Sequence, residues 1–209
     1  MGIRNQEREL RVPRLQPARR RLARLVTEAL APTHLAAVLS LVVAWHSATT
    51  AGQALTWGLV TALFASVIPF ALVLHRVRRG QLTDHHVGVL EQRRTPLLMG
   101  LASVLVGLVL LMGLHASPEM LALLVSMVAG LVVSLLFSLR WKISIHSGVA
   151  MGTIVILALV FGPALLALSP LGGVIGWARV ELGDHTPAQV AVGAGVGATV
   201  AALVFSLLR

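Results

Sequence analysis

Long apolar segments alternate with short polar connections from about residue 33 to the end of the chain. An α-helix of about 20 apolar residues crosses the roughly 30 Å hydrocarbon core of a bilayer. The pattern therefore predicts an all-α integral membrane protein with six or seven transmembrane helices in one bundle. The apolar segments cover residues 33–50, 53–75, 97–115, 118–139, 147–168, 170–182 and 187–208. The number of transmembrane helices, six or seven, stays open because the sixth segment is short and rich in glycine.

Composition agrees with a membrane protein, since 56% of the 209 residues are hydrophobic, 12% are charged and the mean hydropathy is +0.86. These values exclude an ordinary soluble enzyme. A net charge of +9 often indicates nucleic-acid binding, but here most basic residues lie before or between the apolar segments. We therefore interpret them as topology signals and expect no nucleic-acid partner. The lack of cysteine excludes disulfides, thiolate metal sites and cysteine nucleophiles.

The chain divides into a basic arm, residues 1–32, and a transmembrane domain, residues 33–209. Apolar residues over 18–31 recur at helical spacing opposite the arginines, as in a helix that lies on an anionic membrane surface. A flexible basic tail is the alternative interpretation.

Sixteen of the 17 lysines and arginines fall on one side of a seven-span topology, and Arg209 falls on the other. The positive-inside rule places the basic side, with the N-terminus and every polar cluster, in the cytoplasm. Sixteen arginines against one lysine are typical of GC-rich bacterial codons. We expect a bacterial protein in the cell membrane.

Three polar clusters lie on this side, in residues 84–96, 142–148 and 177–189. Each combines histidine with Arg or Lys and leads into an apolar helix, whose free N-terminal amides favour an anion. Arginine forks match phosphate oxygens, and histidine serves as a nucleophile or as a general acid or base. The adjacent pair His85 and His86 is weak evidence for a metal, so we predict no metal site. The clusters indicate an anionic lipid headgroup as ligand.

The order and spacing of these clusters resemble the type 2 phosphatidic acid phosphatase superfamily, whose motifs read KxxxxxxRP, PSGH and SRxxxxxHxxxD. Arg179, His185 and Gln189 reproduce the spacing of the third motif, with glutamine in place of aspartate. Ser144 and His146 match the serine and histidine of the second. The resemblance covers about residues 53–209.

The first motif is matched loosely. His86, six residues and Arg93 keep its spacing, with histidine for lysine. Alternatively, Arg94, before Thr95 and Pro96, is the arginine that contacts phosphate, and the sequence leaves both open.

By this resemblance, His185 attacks phosphorus to form a phosphohistidine, while His146 protonates the departing oxygen and later activates water. Neither a metal nor another cofactor is implied. Gln189 fills only part of the role of the family's aspartate, so Asp84 or Asp184 is a candidate for the missing charge. The residues expected to hold the phosphate are Arg179, Arg93, Arg94, His86, Ser144 and Lys142.

The resemblance implies a lipid phosphatase. A cytoplasmic site favours an isoprenyl, polyprenyl or prenyl-sugar phosphate or diphosphate as substrate, ahead of phosphatidic acid or phosphatidylglycerol phosphate. Two alternatives stay open. The first is a catalytically impaired homologue that binds lipid phosphates or acts as a scaffold, and the second is an enzyme that transfers the phosphoryl group or ionises a prenyl diphosphate.

Overall fold

The computed structural model describes residues 17–85 and 89–209, and within these ranges the chain forms α-helices without a strand. The helices are α1 Pro17–Ala29, α2 Pro32–Ser47, α3 Ala51–Ala62, α4 Ile68–Arg78, α5 Arg94–Gly113, α6 Pro118–Phe137, α7 Ile145–Phe161, α8 Ser169–Glu181, α9 Pro187–Val200 and α10 Ser206–Leu208. Turns of π-helix join α3 to α4 and α9 to α10, and short 3₁₀ segments precede α5 and α8.

Six helical stretches of the described chain are long and apolar enough to cross a membrane. They are Pro17–Ser47, Ala51–Arg78, Leu90–Gly113, Pro118–Phe137, Pro163–Glu181 and Pro187–Leu208. The apolar helix α7 is shorter, with 17 residues. This confirms the predicted all-α membrane bundle. The predicted segment 147–168 is divided, because Gly162 adopts a φ of 115° and Pro163 begins the next helical stretch.

The hydrophobic core lies away from the polar clusters. It joins α2 and α3 to α5, α6, α7 and the turn after α9. Leu111, Met120, Leu123, Leu124 and Phe205 are fully buried there. The polar residues at the other end of the bundle therefore rest on a packed apolar base.

The helices α7 and α9 approach closely through paired glycines. Gly148 and Gly152 on α7 face Gly193 and Gly197 on α9. A Cβ atom on Gly193 would collide with the Ser144 carbonyl oxygen, and one on Gly197 with the Gly148 carbonyl oxygen. This is the small-xxx-small geometry by which membrane helices bring their backbones together.

A π-helical turn, Leu63–Val67, interrupts the second long helix just before Pro69. Proline cannot donate a backbone hydrogen bond, so its presence in a helix leaves a carbonyl group unpaired. Ser103 Oγ donates to the Phe64 carbonyl at 2.6 Å. Ser66 Oγ donates to the Thr33 carbonyl on α2 at 2.7 Å, which ties the turn to the start of α2.

Part of the basic arm forms the helix α1, which packs against α8. Ala23 and Thr27 are buried in that contact, whereas Leu22 and Leu25 are exposed on one side of α1. Three arginines of α1 are also exposed: Arg20, Arg21 and Arg24. A helix is thus confirmed over residues 17–29, its membrane-surface position stays a prediction, and residues 1–16 lie outside the described range.

Candidate functional site

His185 lies in the tight turn between α8 and α9. Gly183 adopts a φ of 79°, in the left-handed region that glycine occupies at little cost, and the chain turns back there. The backbone amides of Asp184 and His185 both donate to the Arg179 carbonyl, at 3.1 and 3.2 Å. These bonds hold the buried His185 imidazole beside the end of α8.

Gln189 determines which nitrogen of His185 carries the proton. Its side chain completes a capping box with Thr186, whose backbone amide donates to Gln189 Oε1 at 3.1 Å. The acceptor of an N–H bond must be the amide oxygen. His185 Nδ1 lies 3.2 Å from the same oxygen and is therefore the donor in that pair. The neutral ring then has its lone pair on Nε2.

Arg93 faces this lone pair from the connection before α5. Its Nη2 lies 3.4 Å from His185 Nε2, and its Nη1 donates to the Ile143 carbonyl at 2.7 Å. Arg93 is 3% exposed, whereas the neighbouring Arg94 is exposed. Of the two arginines that the sequence left open, the structure brings Arg93 to His185.

Arg179 supplies a second buried guanidinium group. Its Nη2 pairs with Asp184 Oδ2 at 3.0 Å. Its Nε and Nη1 are buried and have no hydrogen-bond partner among the residues that the structure describes. Buried donors of a charged group are costly to leave unpaired. Arg179 therefore has two donors that a bound phosphate would satisfy.

The electrostatic environment keeps His185 neutral. Burial, and then the positive charges of Arg93, Lys142 and Arg179, lower the pKa of His185 from 6.5 to about 3. Burial and the charge of Arg93 also lower the pKa of Lys142. At neutral pH the His185 imidazole is therefore uncharged, its Nε2 lies at hydrogen-bond distance from Arg93 Nη2, and the surrounding positive charges suit a phosphate dianion.

His146 and Ser144 lie at the start of α7, across the helix pair from His185. Ser144 caps α7, because its hydroxyl oxygen accepts from the Ser147 amide at 3.3 Å and the Ser147 hydroxyl at 3.0 Å. The Ser144 amide donates to the Gln189 carbonyl at 3.0 Å. The second and third sequence clusters are therefore joined through the backbone.

Two cavities adjoin this site. The first, about 180 Å³, has a mostly apolar surface from residues of α2, α4 and α5, and we call it the polar cavity because Arg93, His146, Glu28, His34 and His85 also line it. Beside it lies a larger apolar cavity of about 220 Å³ between α2, α6, α7 and α9. The two share Pro32, Thr33 and Ile145 as lining residues.

The two candidate carboxylates take different places. Asp184 pairs with Arg179, and the charges that act on the pKa of His185 are all positive. Burial and the charge of Arg93 lower the pKa of Lys142, and the negative charge of Asp84 is the smallest of the influences that oppose this shift. Gln189 is thus the group that orients His185, and neither aspartate takes that position in the described structure. His86 lies outside the described residues.

Sequence reasoning missed the contribution of α1. Arg19 Nη2 pairs with Glu181 Oε2 at 3.0 Å, two residues from Arg179. Glu28 Oε1 lies 3.2 Å from His85 Nε2 at the polar cavity. The charges were visible in the sequence, but a contact between residues 57 or more positions apart leaves no local signal.

The described residues contain no group of three or more His, Cys, Asp or Glu side chains placed to hold a metal ion. Comparison with protein-family profiles, curated proteins and solved structures finds no match for this chain. The functional interpretation therefore rests on the geometry of the site.

Proposed function

We propose that this protein is an integral membrane phosphatase that hydrolyses a lipid phosphate or diphosphate through a phosphohistidine intermediate on His185. One observation carries the proposal. His185 presents an unprotonated Nε2 toward Arg93, beside a buried Arg179 with two donors to spare. A buried nucleophile between two guanidinium groups suits attack on phosphorus.

In the first step, the lone pair of His185 Nε2 attacks phosphorus and the bond between phosphorus and the alkoxy oxygen breaks. Protonated His146 gives its proton to that oxygen, and a lipid alcohol leaves. Arg93 and Arg179 hold the phosphoryl oxygens and stabilise the charge that they carry in the transition state. His185 Nδ1–H donates a hydrogen bond to Gln189 Oε1 throughout.

In the second step, a water molecule gives its proton to neutral His146 and its oxygen attacks phosphorus. The bond between nitrogen and phosphorus breaks, and its electron pair returns to Nε2. Inorganic phosphate leaves, and His146 is again protonated for the next cycle. Histidine and arginine side chains supply the nucleophile, the acid and the positive charge in this scheme.

The position of the site supports a lipid phosphate as the substrate. The residues at the site begin or end apolar helices, and an apolar cavity adjoins the polar one. We propose a lipid whose phosphate lies at the helix ends, with prenyl or polyprenyl phosphates ahead of phosphatidic acid. The concentration of arginine at this end supports a cytoplasmic orientation in a bacterial cell membrane.

A second candidate function is the binding of lipid phosphates without turnover, or a scaffold built on such binding. The observation that favours it is Gln189, which orients His185 but gives no negative charge to a protonated or phosphorylated ring. Replacing the analogous carboxylate in a serine-protease triad by an amide lowers the rate about 10⁴-fold, the worked example for that enzyme class.

Phosphate release from prenyl phosphates, prenyl diphosphates and phosphatidic acid, measured with EDTA present, tests the proposal. His185→Ala should abolish release, whereas His75→Ala, at an exposed position on α4, should not. A ³²P-labelled substrate should leave acid-labile label on the wild type alone. Release that survives in His185→Ala would refute the phosphohistidine. Lipid phosphate bound with no release by the wild type would favour the binding function.

A further inference from the structure

We propose that the apolar cavity between α2, α6, α7 and α9 holds the hydrocarbon chain of the substrate, and that it selects lipids with one chain. This inference rests on the proposed function and narrows its substrate class to single-chain lipid phosphates. We therefore assign the cavity to the substrate and not to a permanently bound membrane lipid.

The position of the cavity supports this assignment. It begins at Ile143 and Ser144, the residues that hold Arg93 and Gln189 through their backbone groups, and it reaches Ile156 on α7 and Ala201 beyond α9. Eleven residues separate Ile145 from Ile156, about 16 Å of helix. The cavity is therefore long, and it runs from the site toward the middle of the bundle.

The lining and the size fit a single chain. Most lining residues are aliphatic side chains or glycines, and the hydroxyl of Ser126 is satisfied by the Ala122 carbonyl at 2.7 Å. Apolar cavities of about 150 Å³ stay dry and bind a ligand as large as benzene. About 220 Å³ spread over this length accommodates one narrow chain, not two side by side.

The residues that line both cavities connect the proposed site of the hydrocarbon chain to the residues proposed for catalysis. Pro32, Thr33 and Ile145 line both, and the polar cavity is also lined by Arg93 and His146. An alcohol oxygen that leaves beside His146 lies close to this shared wall. Its chain then continues past Thr33 and Ile145 into the apolar cavity.

The glycines of the bundle provide the test. Gly130 on α6 lines the apolar cavity, and a Cβ atom there would meet nothing within 4 Å. The backbone at this position therefore has room for a Cβ atom, and we expect a Leu side chain there to occupy part of the cavity. Gly195 on α9 is equally open but exposed and outside the cavity, so Gly195→Leu is the matched control.

For Gly130→Leu, we expect kcat/KM for farnesyl phosphate to fall about tenfold or more while that for phenyl phosphate, which has no chain, stays within twofold. Gly130→Val should give a smaller loss, and Gly195→Leu none. Wild-type protein should prefer farnesyl phosphate over phosphatidic acid at least tenfold. Equal use of both lipids, or an unchanged kcat/KM for farnesyl phosphate in Gly130→Leu, would overturn the inference.

A binding measurement separates this inference from the proposed function. Farnesol should raise the melting temperature of wild type and Gly195→Leu, since a ligand of the folded state stabilises it. Gly130→Leu should lose this shift. Loss of the shift in a protein without phosphatase activity would support the cavity and refute only the proposed function. Val73→Trp fills the polar cavity instead. If farnesol still raises the melting temperature of Gly130→Leu but not that of Val73→Trp, the hydrocarbon chain lies between α2 and α4, and the inference is overturned.

Discussion

The two sides of the site are built differently. His185, Gln189 and Ser144 belong to the paired helices α7 and α9, which are joined by a backbone hydrogen bond and by glycines in contact. Arg93 belongs to the connection between α4 and α5 and reaches the other side through its side chain, which donates to the Ile143 carbonyl.

This difference in construction separates the positioning of the nucleophile from the proposed binding of phosphate. Backbone contacts fix the chain segments that carry His185 and Gln189, and the side chain of Gln189 then orients the imidazole. Arg93, the arginine proposed to bind phosphate, stands on a long side chain whose Nη1 is anchored at the Ile143 carbonyl and whose Nη2 faces His185. We expect changes to the helix pair to affect folding and catalysis together, and changes to Arg93 to affect catalysis far more than folding.

The largest effect should come from Gly197→Ala. The added Cβ would overlap the Gly148 carbonyl, and a packed backbone cannot yield without separating α7 from α9. Overpacking of this kind costs about 1–3 kcal/mol or more. We expect a lower melting temperature in detergent and loss of phosphate release. Gly195→Ala, open on the same helix, should keep both, and similar behaviour of the two variants would contradict the close-packing account.

Gln189 should have the next largest effect. Gln189→Leu removes the acceptor for His185 Nδ1 and half of the capping box, so the ring is free to take the wrong tautomer. We expect kcat to fall by about 10²- to 10⁴-fold, the upper value being that of the triad example. Gln189→Glu keeps an acceptor and adds a charge, so its kcat should equal or exceed that of the wild type. Equal kcat values for all three proteins would show that Nδ1 is oriented by another group.

Arg93→Lys should lower kcat/KM by about 10²-fold, because one ammonium group cannot hold the Ile143 carbonyl and bind phosphate oxygens in the geometry of a fork. Its melting temperature should fall only slightly, by the equivalent of about 1 kcal/mol for the lost hydrogen bond. Steady-state kinetics and thermal unfolding measure the two effects. Arg94→Lys, at an exposed position, should change neither. If it were the more damaging variant, the assignment of Arg93 would be wrong.

The smallest effect concerns pH. The pKa of His185 is lowered to about 3 in the folded protein, so the neutral ring stabilises the fold fully above pH 6.5. This contribution is lost as the pH falls from 6.5 toward 3, with a slope of at most about 1.4 kcal/mol per pH unit. Between pH 7 and 4.5, we expect the melting temperature of His185→Gln to fall by less than that of the wild type. His115→Gln, exposed at the opposite end, should follow the wild type.

Sequence patterning predicted the all-α fold and singled out the polar clusters that contain Arg93, His185 and Gln189. Apolar length predicted the helices, and an even number of spans, two in each case, separates the arm and the successive clusters, so all of them were expected at one end. The choice between Arg93 and Arg94 could not be made, because neighbouring residues at a helix start point about 100° apart and the start of α5 decides which one faces inward. The pair of Arg19 and Glu181 also needs a tertiary contact between distant helices.

The tautomer of His185 shows a different limit. The spacing of His185 and Gln189 places them one helical turn apart, but it does not say which atom of the amide faces the ring. The backbone amide of Thr186 settles this by donating to the same oxygen. Gln189, which stands where the motif that the sequence resembles has aspartate, therefore orients the ring through a cap that the motif does not include.

The π-helical turn at Leu63–Val67 has a consequence for how this chain tolerates change in length. Such a turn takes up one residue more than an α-helix for the same rotation, so the helix after it keeps its phase. Deleting one residue within the turn would restore regular α-helix and leave α4 facing the same way. Deleting one residue from α3, with the turn kept, would instead rotate α4 by about 100°. Pro69, Phe70 and Val73 would then turn away from the polar cavity that they line. The same lost codon, invisible to hydropathy, is therefore harmless or damaging to the wall of the site according to where it falls.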